Sequence, residues 1–126
     1  MKRSIEYIEK MVCYGESVPV EMLHKRDRRE PFNTARQLIM TLALEQAHTM
    51  SFAGAYFERN HATALNARRS IHNRVSTDKV FREKYEGYKE MLRDRETFKV
   101  AYLSNELARL KKETAELTEQ LNKIEI

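Results

Sequence analysis

Residues 57–69, Phe-Glu-Arg-Asn-His-Ala-Thr-Ala-Leu-Asn-Ala-Arg-Arg, constrain this chain most strongly, because they read as a tight turn running straight into a helix. Asn60 suits the N-cap, where its side-chain oxygen accepts an N–H that the first turn cannot satisfy internally. Leu65, Ile71 and Val75, with Ala64 between, recur at helical spacing and predict a single apolar stripe. The other face carries Ala62, Thr63, Asn66, Arg69, Ser70 and Asn73. It is small and polar and holds one cation, as a helix lying in a DNA major groove requires. Upstream, Thr49 to Phe57 predicts a shorter helix, and the two together have the form of a helix-turn-helix.

The rest of the chain supports an all-α bundle. Only 3 Gly and 2 Pro interrupt its 126 residues, which favours helices throughout. Residues 4–14 predict a helix with Ile5, Ile8, Met11 and Val12 inward, stopped by Gly15. Ser17 is expected to cap a short second helix with Pro19 in its first turn. A charge-dense connector, His24 to Glu30, leads to Pro31. Pro31 opens the longest core helix, with Phe32, Ala35, Leu38, Ile39, Leu42 and Ala43 as its buried stripe. The helix-turn-helix occupies about 49–57 and 61–75, and Thr77 and Asp78 cap a further helix beginning near 78. Met40 and Met50 are expected in the core. The single cysteine, Cys13, cannot form an internal bridge and reads as a small buried apolar residue.

At Asn60-His61-Ala62-Thr63-Ala64-Leu65-Asn66-Ala67 the sequence resembles the Asp-His-[Ala/Thr]-Thr-Val-Leu-His-Ala signature of the C-terminal DNA-binding domain of the bacterial replication initiator DnaA. Ala35-Arg36-Gln37-Leu38-Ile39-Met40 is similar to that family's Arg-Gln-Ile-Ala-Met helix, and Gly54-Ala55-Tyr56-Phe57 to its Gly-x-x-Phe. Arg28 falls where the family keeps a basic residue ahead of that helix. The resemblance covers roughly residues 3–76 and implies roles at the matching positions. Arg28 would enter the minor groove, Arg36 and Gln37 would bind phosphate, and Asn60, His61, Ala62 and Thr63 would lie at the major groove. Asn66 and Arg69, on the same helix face, complete the expected DNA-binding set. Asn60 stands where the family has an acidic residue, Asn66 where it has His and Leu44 where Lys is common. The turn after Phe57 is also shorter than in many members. These departures bear on which DNA sequence is recognised.

The resemblance stops short of a whole initiator, since these residues contain no Gly-x-x-x-x-Gly-Lys-[Ser/Thr] loop to cradle nucleotide phosphates. DNA binding without a nucleotide-dependent filament is therefore expected, acting on replication or transcription by occupying sites. Charge agrees with this placement. Residues 1–75 hold 12 Lys+Arg against 8 Asp+Glu and supply the whole net charge of +4, whereas 76–126 hold 11 of each. A positive excess confined to the module suits contact with phosphates.

No paired-carboxylate, Cys/His or Ser/His arrangement has the spacing of a catalytic motif, so no enzyme activity and no cofactor is expected. His48 and His72 lack neighbours at ligand spacing, which argues against a metal. Nothing resembles a signal peptide or a membrane span, and a cytoplasmic, bacterial or mobile-element setting is expected.

Composition changes again near the end. Residues 96–126 lack Gly and Pro and carry a heptad pattern. Val100, Leu107, Thr114 and Leu121 fall at one seam position, and Leu103, Leu110, Leu117 and Ile124 at the other. Glu106 and Lys111 flank the seam where they could pair between parallel chains. The expected organisation is a DNA-binding domain over 1–78 and a helical extension over 79–126. That extension would dimerise, bind a protein partner or fold back on its own domain. The rival class is an interaction adaptor built on a degenerate helix-turn-helix.

Overall fold

The computed structural model describes residues 4–93 and 95–124, with side chains for all of these except 95–102. The protein is all-α: α1 (Ile5–Glu16), α2 (Val20–Leu23), α3 (Phe32–Glu45), α4 (Met50–Tyr56), α5 (His61–Thr77), α6 (Lys79–Arg93) and α7 (Arg95–Ile124). It divides after Arg93 into two units.

In the first unit α3 is the spine, packed against α1 and α5, with α4 resting on α5. The stripe expected on α3 is buried at Ala35, Leu38, Ile39, Leu42 and Ala43, with Phe32 only half-buried. Burial extends further round the helix, to Thr34, Arg36, Met40 and Thr41. Neighbours on several sides cover more than one face. The Glu30 carboxylate serves the start of α3, accepting from the backbone N–H of Thr34 at 3.2 Å and its hydroxyl at 2.5 Å. A carboxylate there also favours the positive end of the helix dipole.

Two expectations near the end of α1 change. Gly15 does not stop the helix, which continues to Glu16. A Cβ on Gly15 would lie 2.6 Å from Cε1 and 2.9 Å from Cζ of Tyr88, so glycine makes room for that ring. The Tyr88 hydroxyl then donates to Glu16 at 2.5 Å, and Lys84 pairs with the same carboxylate at 3.0 Å. Ser17, expected to cap α2, instead ends α1 in the left-handed conformation at φ 56°. The following N–H, of Val18, reaches back to the Cys13 carbonyl at 3.1 Å, and Val18 is buried. This is a Schellman-type ending. Pro19 takes the N-cap position of α2 without a side-chain bond.

Asp78 caps α6 as expected, accepting from the Phe81 N–H at 3.2 Å. Phe81, Tyr85, Tyr88 and Leu92 form its buried face, and the Tyr85 hydroxyl donates to Glu45 at 2.5 Å. Arg74 lies 3.9 Å over the Phe81 ring. The compact unit therefore takes in α6 and runs past residue 78 to Arg93. Cys13 is buried, and desolvation pushes its thiol pKa up to about 12.

The second unit is α7, one helix of 30 residues. Leu103, Leu107, Leu110, Leu117, Leu121 and Ile124 are exposed by 50–80 %. Val100, the first seam position, lies outside the described side chains.

A candidate nucleic-acid interface

The helix-turn-helix is held by backbone geometry that few sequences supply. Thr49 caps α4 by accepting the Phe52 N–H at 3.1 Å. The turn folds back on α4 through Phe57 N–H to the Gly54 carbonyl at 3.1 Å, Glu58 N–H to Ala55 at 3.0 Å, and Arg59 N–H to Gly54 at 2.8 Å. Gly54 is buried, and a Cβ there would collide with the backbone of Asn60 and Arg59. Close approach of the turn thus depends on glycine. Glu58 takes the left-handed conformation at φ 56°, the chain reversal that completes the short turn.

Asn60 caps α5 as expected, its Oδ1 accepting the Thr63 N–H at 3.1 Å. Burial corrects the expected stripe of that helix. Ala64, Ala67 and Ile71 are its buried positions, while Leu65 and Val75 are half-buried. Small alanines at the contact let α5 lie close to α3 and α4. Arg68 is half-buried and forms no ion pair among the described residues. His61, Ala62, Asn66, Arg69 and Asn73 are exposed. Positions 62, 66, 69 and 73 share one helical face, with His61 at the N-terminal end.

A polar network anchors this motif to the rest of the unit. Buried Glu9 accepts the Tyr56 hydroxyl at 2.7 Å on one oxygen, and its other oxygen lies 2.7 Å from Nε2 of His24. The His24 ring packs 5.1 Å from both Tyr56 and Phe57, centroid to centroid. Desolvation, then the Glu9 contact, raises the Tyr56 pKa and keeps it a donor.

The connector ahead of α3 is equally fixed. Arg29 clasps Asp27 through its backbone N–H at 2.9 Å and through its guanidinium at 2.8–3.2 Å. These bonds lower the Asp27 pKa to about 2. Arg36 is only 4 % exposed. Its guanidinium donates to the carbonyl of Leu23 at 3.3 Å and to that of Asp27. It therefore holds the loop that presents exposed Arg28.

Connector, α3, turn and α5 enclose a groove lined by Arg28, Asn33, Arg36, Gln37, Met40, Arg59, Thr63, Asn66 and Ala67. Arg28, Arg36, Gln37, Thr63 and Asn66 of the expected set meet there. Asn60, His61, Ala62 and Arg69 belong to the same helix or its cap but lie outside the groove. Arg59 and Asn33 were not among the expected residues. Asn33 could have been found one turn before Gln37 on the same face, and Arg59 as the cation directly before the cap. Three guanidinium groups and no carboxylate line this groove. Burial first, and the Arg59 charge second, lower the Arg36 pKa. Like charges brought this close are relieved by an anion, and phosphate matches a guanidinium fork geometrically. No group of three or more metal-ligating side chains occurs among the described residues, and no described helix is long and apolar enough to cross a membrane.

Residues 5–71 match the family model for the bacterial DnaA protein helix-turn-helix. Over 82 residues the chain is 34 % identical to the chromosomal replication initiator protein DnaA of Flavobacterium psychrophilum. That alignment covers 64 % of this chain but only 17 % of the relative. The chain belongs to the bacterial DnaA helix-turn-helix family, a family of DNA-binding modules.

Proposed function

We propose that the first unit binds double-stranded DNA sequence-specifically and that the chain regulates replication or transcription by occupying its sites. The observation that carries this reading is the acid-free groove of Arg28, Arg36 and Arg59 beside the exposed N-terminal face of α5. His61, Ala62 and Thr63 meet base edges in the major groove, where the methyls of Ala62 and Thr63 suit thymine. Asn60 sets the angle of entry by capping, and Asn66 and Arg69 extend the contact along the helix. Arg28 reaches the adjacent minor groove, whose negative potential favours guanidinium. Gln37 and Arg59 hold phosphate. Arg36 works mainly through Arg28, by fixing the loop that carries it. The module needs no bound cofactor or metal for this and performs no catalysis, and its setting is the cytoplasm.

The test is selection of bound duplexes from a random pool, followed by titration against salt. Neutralising roughly 3–6 phosphates gives a log–log slope of roughly −3 to −5, at about −0.9 per phosphate. His61→Ala is expected to weaken the selected site by about 1–3 kcal/mol while sparing random DNA. Equal losses on both would remove His61 from the base edges. No duplex binding even at low salt would leave the adaptor reading, in which the motif is only a scaffold.

A further inference from the structure

The leucine seam of α7 calls for a partner, and its register and charges specify one. Leu103, Leu110, Leu117 and Ile124 repeat every seven residues, as do Leu107, Thr114 and Leu121 three residues before or four after them. All six apolar members described are half-exposed or more. A seam this narrow matches the coiled-coil pattern, not the broader stripe of a helix laid on a globular core. We propose that α7 pairs with α7 of a second copy of this chain as a parallel, two-stranded coiled coil. The pairing is independent of whether the first unit binds DNA.

Charge selects the direction. Glu106 and Glu113 lie along one flank of the seam, and Lys111 lies on the other, where it forms no ion pair among the described residues. In a parallel pair each flank meets the opposite flank of its neighbour. Glu106 then faces Lys111 of the partner subunit, twice by symmetry, and Glu113 faces the partner's Thr118. A fully overlapped antiparallel pair instead sets Glu113 against the partner's Glu113 and Lys111 against the partner's Lys111. Arg109, on the outer side, already bonds Glu106 at 2.8 Å and Glu113 at 3.0 Å, which orders the acidic flank within each helix.

The seam residues select the number of strands. Val100 and Thr114 alternate with Leu107 and Leu121 at one position, and the other is leucine up to Ile124; β-branched side chains at the first position favour two strands. Thr114 carries the one hydroxyl among the described seam residues, and it donates to the Leu110 carbonyl of its own helix at 2.9 Å. It can enter the interface with its donor satisfied, and it penalises registers that would place it against leucine.

Sedimentation of the full chain at tens of micromolar is expected to give a dimer. Leu110→Glu with Leu117→Glu should give a monomer whose first unit still unfolds cooperatively. Lys111→Glu should weaken association roughly tenfold, and adding Glu106→Lys should restore it. Thr114→Leu should tighten it by roughly tenfold. Leu103→Cys should cross-link the dimer on oxidation, because only a parallel pair brings the two Leu103 positions together. Buried Cys13 does not compete. A monomeric full chain, a trimer or larger species, a dimer that survives the double glutamate variant, or a Leu103→Cys dimer that fails to cross-link would each overturn the proposal.

Discussion

Leu42 and Leu110 both sit in the middle of leucine-rich helices, yet Leu42 has no exposed surface while Leu110 is 50 % exposed. The difference lies in how far the apolar residues spread around each helix. On α3 buried positions run from Thr34 to Ala43 with few gaps, so several neighbours can pack against it at once. On α7 the apolar residues keep to the two seam positions of each heptad, which one partner helix can cover and a globular core cannot. One chain thus carries two solutions to apolar burial, one completed within the fold and one left open along α7.

The strongest way to break this comparison is to truncate a leucine in each unit. Leu42→Ala leaves a cavity in the spine and is expected to reduce stability by about 2–5 kcal/mol in urea unfolding. In dilute protein Leu110→Ala should change the unfolding of the first unit by less than about 0.5 kcal/mol. Comparable losses would mean that the leucines of α7 support the first unit.

Two glycines sharpen the picture of packing within the first unit. Both are helical, and alanine ordinarily stabilises such a position by about 0.5–1 kcal/mol. Nothing lies within 4 Å of a Cβ at Gly87, so Gly87→Ala should show that full gain. Gly15→Ala must displace the buried Tyr88 ring and should instead lose about 1 kcal/mol or more. Thermal melts of the two variants moving the same way would contradict the close fit of α6 on α1. A gain like that at Gly87 is expected at Glu58, where left-handed backbone disfavours a side chain. Glu58→Gly should stabilise the turn by about 0.5–1 kcal/mol without altering the cap at Asn60.

The last prediction uses a thiol as a reporter in each unit. Cys13, buried and with its pKa pushed up to about 12, should resist alkylation at pH 8 until the first unit unfolds. A thiol placed by Leu117→Cys should react readily in dilute protein and be protected as concentration rises. Because burial raises the pKa of Cys13 from 9.0, its contribution to stability is intact below pH 9 and is lost as pH climbs towards 12. Rapid alkylation of native Cys13 would show that the core opens near α1.

The sequence by itself determined the elements whose causes are local. Asn60, Thr49 and Asp78 are caps because their side-chain oxygens reach an N–H three residues on. The α3 stripe and the heptads of α7 follow from spacing alone. The same holds for the excess of cations in the first half, all five of which between 31 and 75 are arginines. Tertiary structure decided what depends on residues distant in the chain. Gly15 looked like a helix stop because the Tyr88 ring that needs its space lies far along the sequence. The burial of Arg36 was not legible, because the carbonyls of Leu23 and Asp27 that it bonds belong to a loop without periodicity. Arg59 and Asn33 joined the groove only when turn and spine came together. Leu65 ceded the centre of its helix contact to Ala64 and Ala67, since close approach of α5 to α3 favours the smaller side chains. Local hydrogen bonds and periodicity are written in consecutive residues, whereas shared space is settled only by the folded neighbours that compete for it.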